Sequence, residues 1–320
     1  MMLRRCIGLM FSLGIVLLAT GTGFSQDYPK KPISIFAAEA GAAGDVTARI
    51  IAEELSPVLG QRVIVENRGG GVIAPEIVSK SKPDGHTLLV YANSFWLMPL
   101  MRSHVPYDPM KGFVPIACLT AQPQVLVVHP KVPANSIKEL VALAKAKPGT
   151  LNYSSTATGT GTHLAMELFK SLTGTDIVRV TFKGMSSALT ALVAGETDVM
   201  FSVPTNALQQ VKAGKLRALG VSSAAPSPLA PGLPTVASAV PGHRQSAYFI
   251  LFAPAGTPAS IVKRLNQEVR RILDKPEVKQ KFFNAGAEVV GGSPEDAAAL
   301  IHSELVTMGK VIKDGNIRDE

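Results

Sequence analysis

Apolar positions along this chain alternate between two periods. From Pro32 onward, short apolar runs of strand length are separated by segments in which apolar residues recur at helical spacing. Ile33 to Ala37 reads as a strand, Ala38 to Gly44 as a loop of small residues, and Asp45 to Leu59 as a helix. Arg62 to Glu66 reads as a second strand, Ile73 to Lys82 as a helix, and His86 to Tyr91 as a third strand after the Pro83-Asp84-Gly85 turn. Val125 to Val128 is a further apolar run. Ser136-Ile-Lys-Glu139 is a capping box that opens a helix ended by Pro148-Gly149. The alternation continues through Val178–Phe182, Ser187–Ala194, Asp198–Ser202, Ala207–Ala213 and Leu216–Ser222. Ser223 to Gln245, rich in proline, alanine and serine, reads as a long loop that is functional or joins domains. Tyr248 to Ala253 returns to a strand, Pro258 opens a long helix, and Ser293-Pro294-Glu295 caps the last one. Strands alternating with helices predict an α/β chain with mostly parallel sheets.

Leu151 to Leu172 carries the most specific local chemistry. A short strand at Leu151 and Tyr153 runs into the loop Thr156–Thr162, and Leu164, Leu168 and Leu172 mark one face of the helix that follows. The loop therefore sits at a strand's carboxyl end and a helix's amino end. The first N–H groups of a helix have no intrahelical partner, and the helix dipole presents partial positive charge there, so the position suits an anion. Gly159 and Gly161 let the main chain approach a ligand, and Thr156, Thr158, Thr160 and Thr162 add hydroxyls. The alternative is an ordinary threonine cap. His163, in the helix's first turn, is expected to be neutral.

Composition changes this picture in three respects. Met1 to Arg5 carries two arginines, Ile7 to Ala19 is apolar, and Thr22 to Ser25 ends in small residues, which reads as a signal peptide over residues 1–25 cleaved near Ser25/Gln26. This predicts export to the periplasm. Without Arg4 and Arg5 the chain keeps 30 basic and 24 acidic residues, a formal charge of +6, with no Lys/Arg block of the kind that binds nucleic acid. Beyond the leader only Cys118 remains, so no disulfide framework is available, and roughly 295 residues suffice for two domains of roughly 150.

The common catalytic motifs are missing: there is no G-x-S-x-G elbow, H-E-x-x-H pair or G-x-x-x-x-G-K-[ST] loop. Ser79 to Lys82 fits S-x-x-K but without its partner motifs, and Gly69-Gly-Gly71 with Ala74, which follows the second strand rather than the first, reads as a plain turn in preference to a dinucleotide-binding one. The six histidines lack metal-ligand spacing, and no cofactor or metal is expected. An α/β chain with this lack of chemistry reads as a binding protein rather than an enzyme.

Several segments then fall into one order: Tyr28-Pro-Lys-Lys-Pro-Ile33, Gly60-Gln-x-Val-Ile-Val-Glu-Asn-Arg68, Lys82-Pro-Asp-Gly-His-Thr-Leu-Leu89, Val105-Pro-Tyr-Asp-Pro-Met-Lys-Gly-Phe113 and Ala144-Lys-Ala-Lys-Pro-Gly-Thr-Leu-Asn-Tyr153. They continue with Gly161-Thr-His-Leu-Ala-Met-Glu-Leu-Phe169, Phe182-Lys-Gly184, Asp198-Val-Met-Phe201, Lys212-Ala-Gly-Lys-Leu-Arg-Ala-Leu219, Leu233-Pro-Thr-Val236 and Ala253-Pro-Ala-Gly-Thr-Pro258. In this order and spacing the chain resembles the Bug-type solute receptors of tripartite tricarboxylate transporters over nearly all of its length. The resemblance implies a type II periplasmic-binding fold: two α/β lobes joined by two crossing strands, at Val125–Val128 and Phe249–Phe252. The lobes would be 26–127 with 249–320, and 128–248. It further implies a monomeric receptor that binds a small organic carboxylate between the lobes and hands it to membrane transporter subunits or presents it to a membrane sensor.

By this resemblance the carboxylate is gripped by two loops, Glu39–Asp45 and Thr156–His163. The first departs from the family pattern: Gly41, Gly44 and Asp45 are kept, hydroxyls are missing, and Glu39 would oppose a carboxylate if it faced the cleft. At the position of Ser202 some amino-acid-binding members carry aspartate, so no carboxylate awaits an ammonium group here. Asn93 and Trp96 follow the third strand, where open α/β sheets place ligand contacts. Phe95 and Trp96 either line the cleft or pack in the core. Lys183 is either a counter-charge at the cleft edge or an exposed turn lysine. The rival from another class is an exported enzyme acting on a small acid, with Asp45, His163 or Asp198 as its base.

Overall fold

β1 (Ile33–Ala37) pairs in parallel with β2 (Val63–Asn67) on one side and β3 (Thr87–Ala92) on the other. The computed structural model that shows this describes residues 28–319; the expected leader lies outside the described residues. α1 (Ala43–Leu59) connects β1 to β2 and α2 (Ile73–Ser79) connects β2 to β3. Ala48, Ile51, Ala52, Leu55 and Leu59 of α1 join Ile33 and Ile35 in one core cluster, which is the helical spacing read from the sequence becoming the buried face.

After α3 (Ser94–Met101) the chain forms β4 (Phe113–Pro123), crosses at Gln124, and enters a second sheet as β5 (Val125–Val128). All four β5 residues are buried, as the unbroken apolar run requires of a strand covered on both faces. The second half then alternates α4 (Ile137–Ala146), β6 (Asn152–Ser155), α5 (Gly161–Thr173), β7 (Val178–Thr181), α6 (Met185–Val193), β8 (Val199–Ser202), α7 (Pro204–Lys212) and β9 (Arg217–Val221). The proline-rich stretch is an ordered strap: it makes one short 3₁₀ turn at Val236–Ser238 and buries Leu229, Ala230, Val236 and Val240. It delivers the chain to β10 (Ser246–Pro254), back in the first sheet. α8 (Ala259–Asp274), α9 (Pro276–Asn284), β11 (Glu288–Gly291) and α10 (Pro294–Asp314) complete the fold.

The first sheet has the order β11-β4-β10-β3-β1-β2 and the second β7-β6-β8-β5-β9. β10 runs antiparallel to both its neighbours, as does β5. Each sheet thus holds one strand that arrives from the other half of the molecule. Ser222, buried at the end of β9, ties the two crossings together. Its Oγ accepts the Gln124 N–H at 2.8 Å and donates to the Gln245 carbonyl at 2.6 Å. Its own N–H and carbonyl bond to Gln124 O at 2.8 Å and Gln245 N at 2.9 Å. Among the described residues no helix is long and apolar enough to cross a membrane.

Phe95, Phe113, Tyr107 and Phe252 form an aromatic cluster with ring centroids 4.8–6.3 Å apart. Trp96 joins it, 1% exposed and 6.3 Å from the Phe252 ring. Of the two placements open to Phe95 and Trp96, the structure takes the core.

Ser222→Ala removes the hydroxyl from both crossings and leaves a buried N–H and a buried carbonyl without it. We expect a loss of about 1–3 kcal/mol for each group left unpaired, read as a lowered midpoint of urea unfolding.

Candidate functional site

The sheets are mixed rather than mostly parallel, because β5, β10 and β11 run against their neighbours. The carboxyl ends of the other strands face a common cleft, and helices start after four of them. α1 starts after β1, α3 after β3, α5 after β6 and α7 after β8. None of these four helix starts has a side-chain cap; among the described helices only α4 and α10, which start elsewhere, are capped by a side chain, Ser136 and Ser293. Uncapped first-turn N–H groups therefore converge on the cleft from both halves.

The cleft holds a cavity of about 770 Å³. Gly41, Ala42 and Ala43 face it from the first half, and Thr156, Gly159, Thr160, Gly161 and Thr162 from the second. Asn93, Gln122, Gln124, Thr205 and Asn206 add neutral polar groups, and Phe249, Phe282, Met185 and Val203 add apolar ones. Among the described residues no Asp, Glu, Lys, Arg or His lines it. An adjoining compartment of about 430 Å³ shares Ala42, Ala43, Ala92, Ser94, Thr160 and Phe249 with it. Gly44 and Thr158 lie on this side, together with Glu39, Arg102 and Asp319.

Behind each loop a charged group fixes the main chain without entering the main cavity. Gly41 has φ +79°, a conformation glycine adopts freely. Its N–H donates to Asp45 Oδ2 at 2.8 Å, while Asn67 Nδ2 and Arg49 Nε hold Oδ1 at 2.9 and 2.8 Å. Burial works against the Asp45 charge, but Arg49, the Gly41 amide and Asn67 outweigh it and keep the carboxyl below its usual range. Glu39 accepts the Gly70 N–H at 3.1 Å and faces the smaller compartment, so it does not confront an anion in the main cavity.

In the second loop, Arg179 from β7 reaches beneath the main chain and donates to Thr156 O at 2.7 Å and Thr158 Oγ1 at 3.1 Å. Thr156 and Thr160 hydroxyls meet at 3.0 Å. His163 is buried behind the loop, and its Nδ1 accepts the Gly159 N–H at 3.2 Å. Burial, with Arg179 and Lys170 nearby, pushes the imidazole down to about 3, so it is neutral, as its position in the first helical turn suggests. At Gly159, φ +79°, an added Cβ would lie 2.7 Å from Met101 Cε of the first half, so the two halves approach closely here.

The structure thus brings Gly41, Asn93, Thr156, Gly159, Thr160, Gly161 and Thr162 together on the main cavity and Gly44 and Thr158 beside it. Asp45 and His163 support the loops from behind. Trp96 lies in the core, and Lys183, in the turn before α6, is exposed and lines neither cavity. Ser202 is fully buried, with Oγ 3.9 Å from Met185 Sδ. Asp198 accepts the Asn152 N–H at 2.9 Å and pairs with Lys131 at 3.1 Å. None of the three candidate bases lines the cavity. Asn93 donates to Ser246 O and Glu304 Oε2, both at 3.1 Å, and burial raises the Glu304 carboxyl to about 7 against the pull of Asn93 and Arg244. Arg179, Asn67, Gln122, Gln124, Thr205 and Asn206 were not singled out from the sequence. Gln122-Pro-Gln124, two amides beside an otherwise apolar crossing, and the Pro204-Thr-Asn206 helix start are the signals that mark some of them.

Two sheets of this order around a cleft of helix starts define a two-lobed solute-binding receptor. Residues 47–317 match the family described as "Tripartite tricarboxylate transporter family receptor", and the chain belongs to this family of periplasmic binding proteins. A protein from the tcbD-tcbE intergenic region of Pseudomonas sp. (strain P51) is 36% identical, over 97% of this chain and 94% of the relative. Protein BugT of Bordetella pertussis is 32% identical over 96% and 97%. Among solved structures, an R. palustris protein with adipate superposes with a TM-score of 0.76 at 32% identity, covering 90% of this chain and 98% of that one. MatC from Rhodopseudomonas palustris with bound malate gives 0.74 at 30% identity, covering 89% and 100%.

The neutral His163 predicts an acid-sensitive loop. Below about pH 6.5 the unfolded chain protonates this imidazole, whereas the folded protein does not until about pH 3. Stability is therefore lost as pH falls through that window, by up to about 1.4 kcal/mol per pH unit. Glu304 has the opposite sign: its folded carboxyl holds a proton up to about pH 7, so its contribution falls as pH rises from the ordinary carboxyl value of 4.5. His163→Gln keeps an acceptor for Gly159 and leaves Glu304 in place. We expect urea unfolding of this variant between pH 7 and pH 4 to show a shallower fall with acid than the parent.

Proposed function

We propose that this protein binds a small organic carboxylate in the cleft and delivers it to the membrane subunits of a tripartite tricarboxylate-type transporter. The carboxylate sits between the start of α1 and the start of α5, accepting N–H groups from both loops. The observation that carries this reading is the pair of uncapped helix starts facing one cavity that has no charged lining residue. An anion there satisfies amides that side chains leave free, and it does so from both halves at once. A ligand that touches both halves favours the closed arrangement by its differential contacts alone. Residues 28–123 with 246–319 would move as one lobe and 125–244 as the other, about the crossings at Gln124 and Gln245; this shifts the bounds read from the sequence, because Val125–Val128 pairs within the second sheet and Ser246–Pro254 within the first. The neighbours bound to adipate and malate support a carboxylate as the ligand class, and family membership supports the transporter as recipient.

The mature protein should respond to acids in a thermal-shift screen of mono-, di- and tricarboxylates, aromatic acids and acidic amino acids. An acid at 100 times its dissociation constant adds about 2.7 kcal/mol of stability. A rise with one acid class and none with matched amides is the expected result; no rise with any acid contradicts the proposal.

Ala43→Asp separates the site from the fold. A carboxylate in the first turn of α1 suits the helix, by about 0.3–1 kcal/mol, so the unliganded protein should melt no lower. In the cavity the same charge opposes the ligand by about 1–4 kcal/mol at 4 Å, so calorimetric affinity for the acid found in the screen should fall about fivefold or more.

A further inference from the structure

Gln124 occupies the first crossing between the sheets and is the residue whose peptide Ser222 grips. Its side chain is 2% exposed yet lines the main cavity. Nε2 donates to the Gln122 carbonyl at 3.2 Å, which fixes the amide, because the flipped rotamer would set two oxygens against each other. Oε1 then has no donor from any described residue. The amide lies beside the start of α5: a Cβ added at Gly161 would be 3.6 Å from Gln124 Nε2. A buried acceptor held in one orientation with no partner among the described residues is uncommon in folded chains; Gln245 Oε1 at the second crossing is another, but of the buried atoms without a partner only Gln124 Oε1 belongs to a residue that lines the cavity. Here only solvent or a ligand can supply the donor.

We infer that the acid taken by this receptor carries its own hydrogen-bond donor, a hydroxyl or an amide N–H near the carboxylate, and that Gln124 Oε1 accepts it. The inference rests on the carboxylate-receptor reading and narrows its substrate class. The surroundings agree with a neutral donor: Gln122, Asn93, Thr205 and Asn206 are uncharged, and no carboxylate lines the cavity to pair with an ammonium group. A site built around a fixed acceptor discriminates against an analogue that lacks the donor, because the acceptor then stays unpaired when water is expelled.

Matched pairs test this by calorimetry: lactate against propionate, 3-hydroxybutyrate against butyrate, and malate against succinate. In the native protein the hydroxylated member of at least one pair should bind about tenfold or more tightly than its partner. Gln124→Met keeps the side chain's length without the acceptor. It should close that gap to under threefold by weakening the hydroxy acid alone, with an unliganded melting temperature no lower than the parent's. Gln124→Leu replaces it if the methionine variant does not fold, and the native comparison stands in either case. Gln245→Met, at the second crossing and outside the cavity lining, should keep the gap. Acid binding that ignores the hydroxyl, or a gap that persists in both Gln124 variants, overturns the inference alone. Silence toward every acid in the pairs and in the wider screen overturns the receptor reading and the inference with it.

Discussion

The first turn of a helix has N–H groups that the helix itself cannot pair. This protein gathers several such turns in one place. Parallel strands feeding helices from their carboxyl ends do this within each sheet, and the two crossings join the two sheets, so that α1 and α5 open on the same cavity. The cavity is neutral by side chain and positive by backbone. That combination suits a carboxylate without committing a lysine or arginine, whose long side chain would have to be ordered on each closure.

The charged residues near the site act from behind it. Asp45 and Arg49 brace the Gly41 turn, Arg179 and His163 brace the Thr156–Gly159 turn, and Ser222 pins both crossings. Each is placed to hold main-chain amides in a fixed direction, as preorganised recognition needs. Among the described residues the chain links the two sheets only at Gln124 and through the strap that ends at Gln245. The adjoining compartment, with Arg102 paired to Asp319 at 2.9 Å, gathers the charged lining residues that the main cavity lacks.

Much of the fold is legible in the residues because its signals are local. The Thr156–Thr162 loop announces itself by glycine and threonine between a strand and an amphipathic helix, and β1, β2, β3 and β5 follow from their apolar runs. β4 does not, because Pro115 and Pro123 interrupt a sequence that otherwise alternates weakly. The structure accommodates Pro115 at a register shift against β10. The site is half legible for a related reason. The helix starts at the site carry glycines and threonines that can be read in place, whereas Gln124, Asn206 and Phe282 reach the cavity only through strand order and crossings that join distant segments. Trp96 shows the reverse error: the carboxyl end of β3 is the right place for ligand contacts, but on α3 its ring turns into the aromatic cluster around Phe252.

The most direct test of the central claim is a crystal structure of the protein with the acid that most raises its melting temperature. One carboxylate should bridge the cleft, its oxygens within 3.2 Å of main-chain nitrogens from both the Gly41–Gly44 and the Gly159–Thr162 segments. A carboxylate held by side-chain cations instead, such as Arg102 in the adjoining compartment, or by one loop alone, would contradict it.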